Sequence, residues 1–494
     1  MFSVTWLSVY SLLSLVVHAL GVAYAAHAVM NVRTARGATA WSISLITWPW
    51  VAIPLYGLLG RRKFQGYSEA IKQAYIGRKG LAYYAHSNIA AYKVELSGDY
   101  TALGKFAAAF EPFPFTRNNE TELLIDGEET FGRMLGAIAS AERYILLQSY
   151  IIHSDGIGHQ FKEALIEKAR QGVTVHLLYD GLGSRKLSAD YINELEANGV
   201  AVSSFRSTKG RKRRFQINFR NHRKILVVDG KIAFMGGLNI GDEYLGRDPH
   251  FGYWRDTHVQ FRGTGVLCLQ EILLRDLYWA GREVSEVVWE VEESPKYRQL
   301  SFILSTGPAD RLQECAFFFL NIINHAKERL WIASPYFVPD SSTLNALKMA
   351  ALRGVDVRII LPNSPDHLSV YLCAFSFYAE LQKVGIQLYR YQQGFMHQKV
   401  ILCDDVLAGV GTVNMDNRSF YLNFEVMSFV VNGRNPEVSS QRIEADGSRF
   451  IRSVEAMLEK DFAASRLVDF SEYEKKPLWF KLGARVTRLM APIL

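Results

Sequence analysis

A duplication constrains this chain more tightly than any other feature. Residues 141–150 run from a charged, helix-like end into an apolar, β-rich segment, and residues 326–336 repeat that pattern with one residue of slippage. Residues 168–178 and 351–360 then read as helix, glycine stop and strand in both places, with Gly172 and Gly354 at the stop. Residues 198–202 and 384–388 repeat the device around Gly199 and Gly385. Helices alternating with short apolar strands predict an α/β sandwich with a mixed sheet. Duplication predicts two such sandwiches, packed with pseudo-twofold symmetry.

Each copy then carries the same polar signature. In the first it is His222, Lys224 and Asp229, followed by Gly236-Gly237-Leu238-Asn239. In the second it is His397, Lys399 and Asp404, followed by Gly411-Thr412-Val413-Asn414. One H-x-K-x4-D is a weak signal. Two, each with its glycine-to-asparagine segment starting seven residues after the aspartate, inside two copies of one domain, are not chance. A spacing of two places His and Lys on one face of a strand, which the apolar residues 225–228 and 400–403 mark as buried.

The chemistry that fits is phosphodiester transfer. A phosphodiester is anionic and repels nucleophiles. Lys224 and Lys399 supply compensating charge, Asn239 and Asn414 supply amide donors, and the glycines admit backbone N–H groups to the phosphate. One imidazole attacks phosphorus and the other protonates the leaving oxygen. The cations are already present, so neither a metal nor another cofactor is expected. Within the motif, Asp229 and Asp404 stand an odd number of residues from their histidines and point to the opposite strand face, which reads as structural. A nucleophilic imidazole needs its second nitrogen tied to a carboxylate. The candidates are Asp256 and Glu425, which follow the histidines of their own copies by 34 and 28 residues.

At these residues the sequence resembles the phospholipase D superfamily and, more closely, the bacterial cardiolipin synthases. The closer resemblance rests on residues 218–224, 236–244, 253–258 and 414–425. It implies two phospholipase D-like α-β-α sandwiches and a double displacement. His222 takes a phosphatidyl group from one phosphatidylglycerol. His397 protonates the departing glycerol, then deprotonates the hydroxyl of a second phosphatidylglycerol. The two roles are exchangeable on sequence grounds. Glu425 falls where the superfamily places an orienting acid. Gly237 and Thr412 stand where the superfamily often has Ser, at a position expected to lie against phosphate. Phosphatidylethanolamine as donor stays open.

The N-terminal region points to a membrane. Residues 1–32 and 37–60 carry no Asp, Glu, Lys or Arg. Residues 4–30 are long enough to span a bilayer. Residues 41–60 read as a second span, with Trp41, Trp48, Trp50 and Tyr56 suited to its interfaces. Together they predict a two-helix transmembrane hairpin, as in the longer type of that family. A signal peptide is the alternative for the first run, but it lacks a basic start. Arg33 and Arg36 lie in the link, and Arg61, Arg62, Lys63, Lys72, Arg78 and Lys79 follow the second run. The positive-inside rule therefore puts the catalytic domains in the cytoplasm of an inner, multi-pass protein. Expected boundaries are 1–62 for the hairpin, 63–120 for a juxtamembrane linker, 121–295 for the first catalytic domain, and 296–494 for the second with its basic tail.

The net charge of +7 lies outside the apolar runs and suits an anionic partner. The two spans favour a bilayer containing phosphatidylglycerol over nucleic acid. Between residues 202 and 222, an insertion relative to the second copy holds Lys209, Arg211, Lys212, Arg213 and Arg214, a candidate headgroup-gathering loop. Residues 470–494 mix cations with Trp479, Phe480, Leu489 and Met490, which suits either a bilayer surface or packing on the domain. Cys268, Cys315, Cys373 and Cys403 have no C-x2-C spacing and read as reduced structural residues. Self-association is left open. The rival functions are a phospholipase D hydrolase, a nucleic-acid phosphodiesterase and a lipid-binding scaffold.

Overall fold

The computed structural model describes residues 2–32, 34–60, 64, 66–77, 87–96, 101–110, 113–205, 218–284, 286–432, 447–469 and 471–494. They divide into two units. One holds the described residues up to Gly66 with Asn218 and Phe219; the other holds the rest.

In the first unit, Phe2–Asn31 forms helix α1. Its segment Ser8–Asn31 is long and apolar enough to cross a membrane. The second apolar run is not the single span expected of it. It is two shorter helices, α2 (Ala35–Thr47) and α3 (Pro49–Leu59), broken at Trp48 with φ −132° and ψ 57°. Pro49 causes the break: it has no N–H, its ring would clash with the carbonyl four residues back, and it suits the first position of a new helix. Helix α1 packs against both. A Cβ on Gly21 would stand 2.3 Å from the Leu45 carbonyl oxygen and 2.9 Å from the Pro49 Cβ. Ala25 and Ala28 are buried in the same seam, and His27 Nδ1 lies 2.9 Å from the Tyr56 hydroxyl. Small residues permit such close approach between apolar helices. Arg33, Arg61, Arg62, Lys63, Arg78 and Lys79 lie outside the described residues.

The second unit begins inside the expected linker. Helices α4 (Tyr67–Gly77) and α5 (Thr101–Ala108) are part of the catalytic body. The Tyr67 hydroxyl donates to Asp276 at 2.7 Å, and Leu103, Ala107 and Phe110 enter the apolar core that holds Phe318.

The first copy runs β1 (Thr116–Ile125), α6 (Asp126–Ala139), β2 (Tyr144–Ser149), α7 (Gly156–Arg170), β3 (Thr174–Asp180), α8 (Ala189–Ala197) and β4 (Ala201–Phe205). It continues with β5 (Arg220–Asn221), β6 (Ile225–Val228), β7 (Ile232–Gly236), β8 (Trp254–Arg255), β9 (Thr257–Gly263) and α9 (Thr264–Trp279). The second copy runs β10 (Gln299–Thr306), α10 (Glu314–His325), β11 (Arg329–Ala333), β12 (Phe337–Val338), α11 (Ser341–Leu352), β13 (Asp356–Pro362), α12 (Leu368–Gln382) and β14 (Gln387–Tyr391). Then come β15 (Phe395–Met396), β16 (Val400–Cys403), β17 (Leu407–Gly411), β18 (Met415–Asp416), α13 (Asn417–Tyr421) and β19 (Asn423–Val431). Helix α14 (Gly447–Ala463), β20 (Ser465–Leu467), α15 (Ser471–Glu474) and α16 (Leu478–Leu489) end the chain.

The glycine stops behave as expected. Gly172, Gly199, Gly354 and Gly385 have φ of 86° to 92°, the left-handed conformation that ends a helix and that glycine adopts without strain. The strands they release pair in parallel, β3 between β2 and β4, and β13 between β11 and β14. One mixed sheet results, in the order β4-β3-β2-β6-β7-β9-β1-β10-β19-β17-β16-β11-β13-β14-β20. It is continuous across the two copies because β1 runs antiparallel to β10. Those two strands lie outside the repeated segments, and β1 starts at Thr116, ahead of the expected boundary at 121. Strands β2, β16, β17 and β19 are buried along their whole length, as strands covered on both faces are.

Candidate active site

The histidines and lysines do not sit on β6 and β16. They sit on the extended links that lead into them, between β5 and β6 and between β15 and β16. The cause is a pair of short ladders between the copies. Strand β5 lies parallel to the start of β19, with Asn221 opposite Phe424, and the His222 N–H donates to the Phe424 carbonyl at 2.9 Å. Strand β15 lies parallel to β8, with Met396 opposite Arg255, and the His397 N–H donates to the Arg255 carbonyl at 2.8 Å. Phe424 and Arg255 are the residues just before Glu425 and Asp256. Each imidazole is therefore carried by the backbone of the opposite copy to that copy's acid.

This corrects the expected pairing. His222 Nδ1 meets Glu425 Oε2 at 2.9 Å, and His397 Nδ1 meets Asp256 Oδ2 at 2.7 Å. Asp256 and Glu425 do seat imidazoles, but each seats the histidine of the other copy. Both acids are wholly buried. Glu425 also accepts from the hydroxyls of Thr412 (2.5 Å) and Ser419 (2.9 Å) and from the Asn423 amide (3.1 Å). Asp256 accepts from the Thr257 N–H at 2.8 Å and lies against Gly237, where a Cβ would come within 2.0 Å of its Oδ1. Positions 237 and 412 thus touch the acids that hold the imidazoles. Glycine makes room for the acid in one copy; threonine bonds to it in the other.

The charges are balanced in a buried space. Burial holds His222 down at about 4, although Glu425 pulls it upward. Burial, then Lys399, lowers His397 against the pull of Asp256. His222 is neutral at pH 7, and His397 is shifted in the same direction. With Nδ1–H donated to a carboxylate, Nε2 presents a lone pair, and among the described residues neither Nε2 has a hydrogen-bond partner. Lys399 Nζ also lies 2.9 Å from His397 Nδ1. That nitrogen cannot donate to Asp256 and accept from Lys399 at once; the shorter, charge-assisted contact decides, and Lys399 donates to the His397 carbonyl instead. Lys224 donates to the His222 carbonyl at 2.7 Å, 5.2 Å from the centre of the Tyr150 ring. Burial lowers Lys224 to about 7 and Lys399 to about 8, with Glu425 and Asp256 pulling back. Burial pushes Glu425 and Asp256 up, but the facing His and Lys charges outweigh it, so both stay below the usual carboxylate range. Lys399 depresses His222 and Lys224 depresses His397. The two motifs act on each other across one space.

Other expectations divide. Asp229 and Asp404 spend their carboxylates on backbone N–H groups. With φ of 54° and 51° at the turns after β6 and β16, they present their carboxylates to the backbone that enters β2 and β11. Asp229 accepts the N–H groups of Glu142, Arg143 and Tyr144, each at 2.8 Å, and Asp404 those of Lys327, Glu328 and Arg329 at 2.8–3.0 Å. They fix the entries to β2 and β11. The amide of Asn239 is engaged within the protein: it accepts from the Ile151 N–H at 3.1 Å and donates to the Tyr244 hydroxyl at 2.8 Å. Asn414 is buried, and its Oδ1 has no hydrogen-bond partner among the described residues. Lys209, Arg211, Lys212, Arg213 and Arg214 lie outside the described residues. His258 is a buried acceptor for the Leu238 N–H, and all four cysteines are buried and free.

Sequence reasoning missed the residues behind the motif. Arg223 and Gln398, the middle residues of the two H-x-K triplets, anchor the links to buried acids on the following helices. Arg223 reaches Asp276 of α9 at 2.9 Å, and Gln398 reaches Asp461 of α14 at 2.6 Å. Asp461 also holds Arg255 at 2.7 Å, which steadies the peptide before Asp256. A buried acid within an apolar helix stretch was the available signal for Asp276. Tyr150 packs edge-on to His222 with centroids 4.9 Å apart, and Trp254 stands 5.0 Å from His397. No sequence periodicity pointed to these rings.

Two buried imidazoles, each on its own carboxylate and each beside a lysine, define an enzyme of phosphodiester transfer on a phospholipase D-like α/β fold. Comparison with known proteins agrees. The family model described as "Cardiolipin synthase, PLD-like domain" matches residues 134–249 and again 319–445. The protein named cardiolipin synthase A of Pseudomonas fluorescens strain Pf-5 is 41% identical, covering 98% of this chain and 98% of its own. That of Pseudomonas entomophila strain L48 is 42% identical, covering 97% of each. Among solved structures, the phosphatidylserine synthase of Haemophilus influenzae Rd KW20 aligns over 79% of this chain and 99% of its own, with TM-score 0.59 and 13% identity, a likeness of fold. The chain belongs to the cardiolipin synthase family of phospholipase D-like proteins.

Proposed function

We propose that this chain joins two phosphatidylglycerol molecules into cardiolipin and glycerol through a phosphatidyl-histidine intermediate. It is a phosphatidyltransferase of the cardiolipin synthase type. In the first step the His222 Nε2 lone pair forms a bond to phosphorus, and the bond from phosphorus to the glycerol oxygen breaks. His397, protonated at Nε2 and stabilised as imidazolium by Asp256, gives that proton to the leaving oxygen. Bound phosphodiester raises His397 toward this state by adding negative charge. In the second step His397 takes the proton of a hydroxyl on the second phosphatidylglycerol. Its oxygen bonds to phosphorus as the bond to His222 breaks. Lys224 and Lys399 neutralise the phosphoryl oxygens throughout.

The observation that carries this reading is the exchange of acids between the copies. It holds both imidazoles in the same tautomer, each with Nδ1 on a carboxylate and Nε2 left for substrate. The same strand order on either side of the β1–β10 seam supports a pseudo-twofold arrangement of two domains, near 121–295 and 296–494. The apolar α1 and its packing with α2 and α3 support an inner-membrane hairpin over residues 1–62. The basic cluster from Lys209 to Arg214 suits a role in gathering anionic headgroups, and serine in place of all five is expected to weaken binding to anionic vesicles.

The test uses purified chain with phosphatidylglycerol liposomes and a chelator. Cardiolipin and glycerol are the expected products, lost in His222→Ala and in His397→Ala. Phosphatidic acid as the main product would make the chain a hydrolase. Activity surviving in His222→Ala would overturn the covalent route.

A further inference from the structure

Helix α16 has two unlike faces. One is seated on α12. Phe480 and Ala484 are buried, and the Phe480 ring meets Phe375 edge-on at 5.1 Å. Arg488 donates to the Ser376 carbonyl at 3.1 Å, pairs with Glu380 at 2.7 Å, and covers the Phe377 ring at 4.4 Å. The other face is bare. Leu478, Trp479, Leu482, Val486 and Leu489 are 51–81% exposed. Their spacing follows the helical period, so they form one stripe. From Lys475 to Leu494 the sequence has five cations and no acidic residue; Lys475 and Arg485 are exposed.

An apolar stripe of this size marks a binding surface. Its cationic flank selects the partner. A second copy of the same face would bring like charges together across a two-fold contact. The interface of an anionic bilayer satisfies both features: apolar side chains enter at the level of the glycerol backbones while Lys and Arg reach the phosphates.

The helix is joined to the active site at both ends. Helix α12, its seat, starts directly after Asp366 and His367. Asp366 accepts the hydroxyl of Tyr336, whose ring stands edge-on 6.5 Å from His397. After α16, the Leu494 carbonyl accepts the Arg418 N–H of α13 at 2.9 Å, and the next residue, Ser419, donates to Glu425. We infer that α16 lies in the interface of an anionic bilayer and holds the catalytic cleft at headgroup depth. The catalytic consequence rests on the lipid-substrate reading above; the membrane contact itself does not.

The test labels the full chain with an environment-sensitive fluorophore at Val486→Cys, with Glu459→Cys on α14 as the exposed comparison site; the native cysteines are buried. Vesicles are phosphatidylcholine with or without phosphatidylglycerol, carrying spin-labelled lipid quenchers near the headgroup. The expected result is a blue-shifted signal at 486, quenched several-fold more than at 459, and more strongly with phosphatidylglycerol. Equal water exposure at the two sites overturns the inference. So does self-quenching between labelled copies without lipid quenching, which would assign the face to a second copy. A Leu482→Glu, Val486→Glu variant, checked for unchanged thermal unfolding, is expected to raise KM for vesicle substrate about tenfold while keeping the rate in detergent-mixed micelles. Loss of rate in both media counts against the inference. If the wild type makes no cardiolipin, the lipid-substrate reading fails while the quenching result still judges the contact.

Discussion

At the scale of single residues, Glu425 carries the most. Four donors converge on its buried carboxylate, which can only accept and so holds His222 in the Nδ1–H tautomer. Glu425→Gln preserves the shape and loses the charge, and is expected to lower kcat by about 10²–10⁴-fold. In a His222→Ala background it should cost nothing more, because the pair acts as one unit; single-turnover kinetics on both variants check this. His397, as the acid of the first step, and the two lysines together set the alkaline side of the pH response. Lys224 at about 7 and Lys399 at about 8 lose their protons as pH rises, so kcat/KM should fall on the alkaline side of neutrality. His222, at about 4, leaves the acid limb near pH 4. Lys224→Arg keeps its charge at all these values and should remove the part of the alkaline fall that Lys224 carries, leaving the parts due to His397 and Lys399, seen in the pH profile of kcat/KM.

At the scale of elements, the turns after β6 and β16 show what the motif aspartates are for. Each left-handed Asp collects three backbone N–H groups at the entry to a strand. Asp404→Ala is expected to cost about 2–4 kcal/mol of stability, read by thermal unfolding, while activity per folded molecule stays within about threefold of wild type. A catalytic aspartate would show the reverse. Their structural role was legible from the odd spacing to the histidines, and the helix ends were legible from four glycines. The position of His222 and His397 was not: an apolar run of four residues marks a strand, but where it begins was decided by β5 and β15 pairing with the other copy. The break at Trp48 was within reach, since Pro49 interrupts any continuous helix in residues 41–60.

At the scale of the molecule, neither copy holds a complete site. Residues 63–295 contain His222 and Asp256 but not Glu425; residues 296–494 contain His397 and Glu425 but not Asp256. Each fragment produced alone is expected to form no cardiolipin, and the two produced together are expected to recover activity through the β1–β10 seam. Product formation by the mixture, against each fragment alone, checks this. Activity in a single fragment would show that the exchange of acids is dispensable. The continuous sheet also explains why the segment before residue 121 is no passive linker: Tyr67 and the helix around Leu103 close the body around Asp276 and the second core.

The sequence by itself determined which reactive residue types the chain carries and the family they mark. The types His, Lys, Asp and Asn and their spacing are covalent facts, stated twice, and they named the reaction class and both nucleophile candidates without a coordinate. Only the tertiary structure decided which acid serves which histidine. The partners stand 203 and 141 residues apart and meet at 2.9 and 2.7 Å. Local periodicity reports which face a side chain takes on its own strand; it carries no information on the ladder that another part of the chain lays beside it. That ladder sets the site.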